Sequence, residues 1–330
     1  MNYPSLLELQ SVSKEYPAGR EGLFSARQTI RAVDRVSLAI RPGEVFGLVG
    51  ESGCGKTTVG HIIAGLLKPS NGTIVYEGKN TAAMTAAEQK RMRQDIQIVF
   101  QDPYASLNPK HKIGWIIEEP LVIHSRLEPA ERKRLAAEML ETVGLDTSYV
   151  HRYPHALSGG QRQRVSIAAA LMLNSRLLVA DEVVSALDVS IQAQILNLLK
   201  SLQKEKQLTY LFISHDLNVV QYMSDRIGVM YLGALVEYGD INDVYADPRH
   251  PYTRALLSAI PTLKDTPQPQ IRLKGEVPNL LAPPSGCAFH TRCPQAQEIC
   301  RRQAPEMLSV STGHAARCHF ALDTDPGGKA

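Results

Sequence analysis

Nine consecutive residues, Gly50-Glu51-Ser52-Gly53-Cys54-Gly55-Lys56-Thr57-Thr58, fit the phosphate-loop pattern G-x-x-x-x-G-K-[ST] without a mismatch. Glycines there let backbone N–H groups turn inward around phosphate oxygens, and a helix opening at Lys56 adds its partial positive charge. Lys56 is placed to reach the β- and γ-phosphates, and Thr57 to set its hydroxyl on Mg²⁺. Cys54 reads as a filler for which Ser would serve equally. Transfer of a phosphoryl group to water further needs a second metal ligand, a base and a γ-phosphate sensor. Asp181 follows the apolar residues 177–180 and suits the metal. Glu182, one residue on, points differently and suits the general base. Gln101 ends the apolar stretch 96–100 and could reach the metal or the water. His215 lies just past the apolar stretch 210–213 and could bond the γ-phosphate. An Asp-Glu pair can also be a helix cap, and a lone His is usually structural. The catalytic reading rests on all of these falling at the carboxyl ends of expected strands, where open α/β sheets place ligands. Ser158-Gly159-Gly160-Gln161 is a second anion-binding candidate at a helix start, and equally an ordinary capped helix, since Ser is a favoured N-cap.

The elements that must hold these residues follow from periodicity. Residues 44–49 are short, apolar and β-branched, a buried strand into the loop. Residues 59–67 carry apolar residues at helical spacing. Residues 6–12 read as an edge strand and 30–40 as a strand with alternation, and residues 17–29 between them as a Gly/Arg/Ser-rich loop. A strand is expected at 73–76, a polar helix at 84–94 and a strand at 96–100. Residues 102–156 are punctuated by proline and hold two helical patterns, 113–124 and 129–143, which reads as a helical insertion. A helix is expected from Ser158 to about Leu173. Ile191, Ile195, Leu198, Leu199 and Leu202 form one apolar helix face. Residues 225–232 and 235–238 read as a hairpin around Gly233, and 250–259 as a short helix. This alternation argues a mainly parallel sheet covered by helices, an α/β fold. Beyond Pro261 regular structure is weak.

Bulk properties set few limits. The 330 residues allow one large α/β domain plus an appendage. Hydrophobic content of 44% and charged content of 21% are those of a globular chain, and a net charge of +3 argues neither for nor against nucleic acid. The opening residues lack a basic region followed by an apolar core, and residues 167–173 are too short an apolar run to span a bilayer. Four of five cysteines, Cys287, Cys293, Cys300 and Cys318, crowd into the last 45 residues, and in a reducing compartment metal or cluster binding is the expectation over disulfides. Their spacing holds no C-x2-C pair, so a zinc ribbon fits poorly.

With these residues in view the chain resembles an ABC-transporter ATPase subunit. Residues 50–58 match the Walker A loop, Gln101 the Q-loop, and Leu157-Ser-Gly-Gly-Gln161 the family signature. Residues 177–182 match Walker B, Ser185-Ala-Leu-Asp188 the D-loop, and His215 the switch histidine. Tyr16 matches the aromatic position that stacks on adenine. The resemblance implies a P-loop NTPase with a RecA-like core, an antiparallel β subdomain and a helical signature subdomain at about 102–173. It further implies an ATPase domain over 1–245 and a small cysteine-bearing extension over 246–330. Phe100-Gln-Asp-Pro-Tyr-Ala-Ser-Leu-Asn-Pro109, His250-Pro-Tyr-Thr-Arg254 and Pro283-Pro-Ser-Gly-Cys-Ala-Phe-His-Thr-Arg-Cys-Pro294 are similar to dipeptide/oligopeptide importers, and the insertion at 17–29 to their second, F-type, ATPase. Nickel, glutathione and opine importers share these features.

What the resemblance implies is an ATP-hydrolysing subunit on the cytoplasmic side of the bacterial inner membrane. Two nucleotide domains would sandwich ATP and Mg²⁺ between the Walker A loop of one chain and Ser158, Gly159, Gly160, Gln161 and Asp188 of the other. Implied partners are a paralogous ATPase subunit (a second copy being the alternative), two membrane permeases and an external substrate-binding protein, with no nucleic acid. The four tail cysteines would hold a [4Fe–4S] cluster, with zinc or free thiols as the alternatives. Two residues depart from the family pattern: Val183 stands where Pro usually follows the base, and Ala169 where the signature helix usually has Arg. Both bear on hydrolysis rate, the first by leaving the D-loop backbone less restricted. A soluble ABC ATPase acting on DNA or ribosomes would need sustained heptads or two ATPase domains in the chain, and neither is visible. A regulatory subunit that binds ATP without turnover is the remaining alternative.

Overall fold

The computed structural model describes residues 5–18, 29–260 and 270–323. The expected loop at 17–29 therefore lies largely outside the described residues. The strands are β1 (Leu7–Pro17), β2 (Thr29–Ile40), β3 (Val45–Val49), β4 (Asn71–Tyr76), β5 (Lys79–Asn80), β6 (Ile96–Val99), β7 (Leu177–Asp181), β8 (Thr209–Ile213), β9 (Arg226–Tyr231), β10 (Ala234–Asp240), β11 (Leu308–Ser311) and β12 (His314–Ala316). They form two sheets. The smaller has order β2-β1-β4-β5 and is antiparallel. The larger has order β11-β12-β10-β9-β3-β8-β7-β6 and is parallel from β9 to β6.

The helices are α1 (Lys56–Ile63), α2 (Ala86–Asp95), α3 (Pro103–Ser106), α4 (Ile113–His124), α5 (Pro129–Thr142), α6 (Gly159–Leu171), α7 (Val189–Lys206), α8 (Leu217–Met223), α9 (Ile241–Ala246), α10 (Pro251–Ser258) and α11 (Glu298–Arg302). Local chemistry sets many of their ends. Thr85 and Glu88 form a capping box on α2, Pro129 opens α5 and Pro251 opens α10.

β3, β7 and β8 are buried at every position and almost wholly apolar because both sheet faces are covered. Phe46, Leu48, Leu177, Val179, Leu211 and Ile213 face one core with α1 and the smaller sheet. Val45, Val49, Leu178, Ala180, Tyr210 and Phe212 face another, which runs on into α4, α5 and α6. The parallel strands all end at one edge, and it is there that Gly50, Gln101, Asp181 and His215 emerge.

Two expectations change. β1 is an inner strand, hydrogen-bonded to β2 on one side and β4 on the other. Its loose alternation was compatible with an edge; β2 follows it in the chain, but the second neighbour, β4, comes from a segment more than 50 residues on. The tail is also more regular than its prolines suggest: β12 pairs with β10 at Glu237↔Ala316 and β11 pairs with β12, so the tail prolongs the central sheet. Among the described residues no helix is long and apolar enough to cross a membrane.

Candidate functional site

β3 delivers the phosphate loop and α1 leaves it. Gly50, Gly53 and Gly55 have φ of 151°, 78° and 103°, a backbone that favours glycine. At two of them space is closed as well. A Cβ on Gly50 would lie 2.3 Å from the Met230 carbonyl oxygen, and one on Gly55 2.2 Å from that of Ala32. The smaller sheet thus presses directly on the loop, carrying Tyr16, which pairs with Ile30 on β2. Lys56 is buried, and its Nζ donates to the carbonyls of Gly50 at 2.8 Å and Glu51 at 3.1 Å. An ammonium that rests on two carbonyls inside the loop can exchange them for phosphate oxygens without crossing solvent. Cys54 is buried, and burial pushes its thiol up. Ser52 and Gly53 line a cavity of about 310 Å³ with Tyr231, Leu232 and tail residues Val277 and Leu280.

Beyond the loop, Thr57 Oγ1 donates to Asp181 Oδ1 at 3.2 Å, which brings together the two groups expected on Mg²⁺. Burial raises the Asp181 carboxyl, opposed by the Thr57 hydrogen bond and by Lys56. A buried carboxylate in that position is an oxygen donor suited to a hard cation. Next to it, Gln101 Nε2 donates to Glu182 Oε2 at 2.9 Å, and His215 Nδ1 lies 3.4 Å from the same oxygen. Gln101, Glu182 and His215 therefore form one cluster at adjacent strand ends. Glu182 itself has φ 49°, the left-handed region, fixed by its N–H to the Ile213 carbonyl at 3.0 Å and by Ser185 Oγ on its own carbonyl at 2.9 Å. Val183 is buried in the core beneath, so packing rather than a proline ring restrains the backbone after Glu182.

Ser158 opens α6 through a complete capping box: its hydroxyl accepts from the Gln161 N–H and Gln161 Oε1 accepts from the Ser158 N–H. Gly160 is buried against α7, where a Cβ would meet Ile191 Cγ2 at 2.5 Å. Ser158 and Asp188 are exposed. Among the described residues neither they nor Gln161 hydrogen-bond to the phosphate loop, so the second anion candidate faces outward.

The four tail cysteines are all free thiols. They sit near enough to feel one another's charge. Burial, with Cys318, Cys287 and Cys300 adding, pushes Cys293 up to about 11, and burial raises Cys287 and Cys318 likewise. Thiols are the ligand type that an iron–sulfur cluster takes. As placed, no three His, Cys, Asp or Glu among the described residues are close enough to hold a metal ion.

Sequence reasoning missed the tail's part in the phosphate loop. Arg292 makes two hydrogen bonds to the Glu51 carboxylate, at 2.8 and 3.0 Å, and Tyr252 Oη accepts the Glu51 N–H at 3.0 Å. Neither contact has a local signal. Both residues do fall in the motifs His250-Pro-Tyr-Thr-Arg254 and the Cys287 to Cys293 loop, whose residue types local structure did not explain.

Comparison with known proteins agrees with this geometry. The sequence matches the ABC transporter family over residues 33–185 and the oligopeptide/dipeptide transporter C-terminal region over 236–300. It is 49% identical to the oligopeptide transport ATP-binding protein AppF of Bacillus subtilis (strain 168), covering 97% of this chain and 98% of that protein. It is 46% identical to the dipeptide transport ATP-binding protein DppF of Escherichia coli (strain K12), covering 97% and 95%. Among solved structures it resembles the dimeric post-hydrolysis state of the ATP-binding cassette MJ0796 bound to ADP and Pi, with a TM-score of 0.63 and 33% identity over 71% of this chain and 98% of that one.

Proposed function

The chain belongs to the ABC transporter family, in the oligopeptide/dipeptide branch, and from that premise we infer how its residues energise a peptide importer by hydrolysing ATP. The observation that carries the reading is the meeting of Gln101 and His215 on one oxygen of Glu182, beside the Thr57–Asp181 pair. Loop N–H groups and Lys56 hold the phosphates. Thr57 and Asp181, with Gln101, would hold Mg²⁺, and the ion when bound would neutralise charge on the phosphates. Glu182 takes the proton of the attacking water, Gln101 orients that water, and His215 senses the γ-phosphate through the shared carboxylate. Tyr16 stacks on adenine.

The signature turn Ser158, Gly159, Gly160 and Gln161, with Asp188, completes the site of a second ATPase subunit, a paralogue by resemblance to the named relatives. In this organisation residues 1–245 are the ATPase domain and 246–330 the extension. Two permeases, an external binding protein and a place on the cytoplasmic face of the inner membrane complete the assembly. By the same resemblance the four cysteines would hold a [4Fe–4S] cluster, which would staple the tail. Protein purified anaerobically retains about four irons per chain if so, and a colourless, iron-free protein overturns that assignment.

Glu182→Gln tests the hydrolysis scheme. In the assembled complex it lowers ATP turnover at least ~100-fold, the scale of general-base loss, while ATP affinity holds. Unchanged turnover would remove Glu182 from the role of base.

A further inference from the structure

Glu51 is held by all three of its polar groups, and two of its partners come from beyond residue 250. Its carbonyl accepts from Lys56 Nζ, the lysine expected on the phosphates. Its N–H donates to Tyr252 Oη on α10. Its carboxylate receives both terminal nitrogens of Arg292, a paired geometry that a guanidinium makes and an ammonium does not. The Arg292 side chain is 8% exposed and that of Glu51 27%, so water screens this ion pair poorly. Arg292 also lies over the Tyr231 ring, 5.9 Å from its centroid.

The segment that carries Arg292 is the loop between the first two tail cysteines. Phe289 in that loop is 1% exposed and packs edge-on against Tyr231 and Tyr252, with centroids 5.1 and 5.4 Å apart. Cys287 N–H donates to the Cys300 carbonyl at 2.8 Å, tying the loop to α11. Arg292 adjoins Cys293. Cys293 and Arg292 thus share one stretch of backbone, and that stretch is tied to Glu51.

We propose that Arg292 is a positioning residue of the ATP site, braced on Glu51, and that the Cys287 to Cys293 loop is the lever through which the state of the four thiols reaches nucleotide affinity. This rests on the reading of residues 50–58 as the ATP site and deepens it. Ordering the loop in advance lowers the cost of binding, so the brace acts on affinity more than on the chemical step.

The test is a double-mutant cycle on the full-length chain, with KM and kcat measured in the assembled complex and the affinity for a fluorescent ATP analogue measured alongside. Arg292→Ala raises KM and the dissociation constant by roughly fivefold or more, within the range for coupled neighbours, with kcat within about twofold of wild type. Glu51→Ala does the same, the double variant is no worse than either single one, and Arg292→Lys falls between. Cys293→Ser weakens affinity in the wild-type background and not further in Arg292→Ala. A lowered melting temperature with unchanged KM, or fully additive effects of Arg292→Ala and Glu51→Ala, overturns the proposal. Lys56→Ala separates the two levels. If it abolishes analogue binding while Arg292→Ala binds normally, the brace is wrong and the site stands. If Lys56→Ala binds normally, the site assignment fails first.

Discussion

Gly160 shows how one residue can answer to two demands that a sequence does not separate. It sits in the signature turn, one residue from an exposed half-site, and it is also where α6 comes closest to α7, with Ile191 Cγ2 2.5 Å from where a Cβ would be. Gly160→Ala therefore destabilises the fold by about 1–3 kcal/mol through overpacking. Adding Ile191→Ala removes the obstructing methyl. The expected outcome is a melting temperature restored toward wild type with ATP turnover of the complex still depressed, because the second demand is close approach of backbone to a phosphate bound across the dimer. Recovery of both together would make Gly160 a packing glycine only. The same double reading applies to Ser158 and Gln161, whose capping box is complete without any ligand. Capping uses one donor and one acceptor of each, and leaves the serine hydroxyl proton free to reach an anion.

At the scale of elements, the tail is joined to the sheet by a buried carboxylate. Glu237 on β10 has no exposed surface. It accepts the N–H of Arg249 at 2.6 Å and of His250 at 2.9 Å, and His314 Nε2 on β12 lies 2.8 Å from it. Glu237→Gln keeps the shape but turns an NH₂ toward a donor that needs an acceptor, a loss of about 2 kcal/mol. Because those bonds connect the entry to α10 with β12, the loss should be local. Amide exchange at Ala315 and Ala316 should rise while that of β3, β7 and β8 stays protected, and equal exchange at β12 in variant and wild type would refute a docking role. This junction was also the least legible part of the fold. The central strands could be read because parallel strands covered on both faces are continuous apolar runs, and the helices 113–124 and 129–143 because proline and spacing mark them. Placing β1 inside its sheet depended on β4, a partner remote in sequence, and β12 is a three-residue strand too short to show a period. Within the site, Gln101, Asp181, Glu182 and His215 were legible because each follows an apolar run. Arg292 was not, since its partner Glu51 lies 241 positions away and nothing in its neighbours marks it as a phosphate-loop contact.

At the scale of the whole molecule, energy released at the sheet edge must leave through a surface. Gln101, proposed above to meet the water and metal at the bound nucleotide, opens the segment 102–124, where apolar side chains stand in solvent: Tyr104 is 64% exposed and Ile123 62%, with Trp115 at 40%. Arg162 of α6 lies 3.7 Å from the Tyr104 ring centroid, so a cation–π contact joins the signature helix to this face. Isolated exposed apolar residues are ordinary, but several on one insertion between the γ-phosphate contact and the signature mark an interaction surface. The expected partner is the cytoplasmic end of a permease, an amphipathic helix laid into an apolar face. A charge at Ile123 would then be buried unpaired on docking, at a cost of several kcal/mol. Ile123→Glu should abolish co-purification with the permeases and peptide uptake, while the full-length chain binds ATP analogue as before, because Ile123 is exposed and outside both buried cores. Wild-type assembly and uptake in that variant would move the coupling surface elsewhere on the insertion. A loss of nucleotide binding alongside would mean that the face supports the site directly instead of transmitting from it.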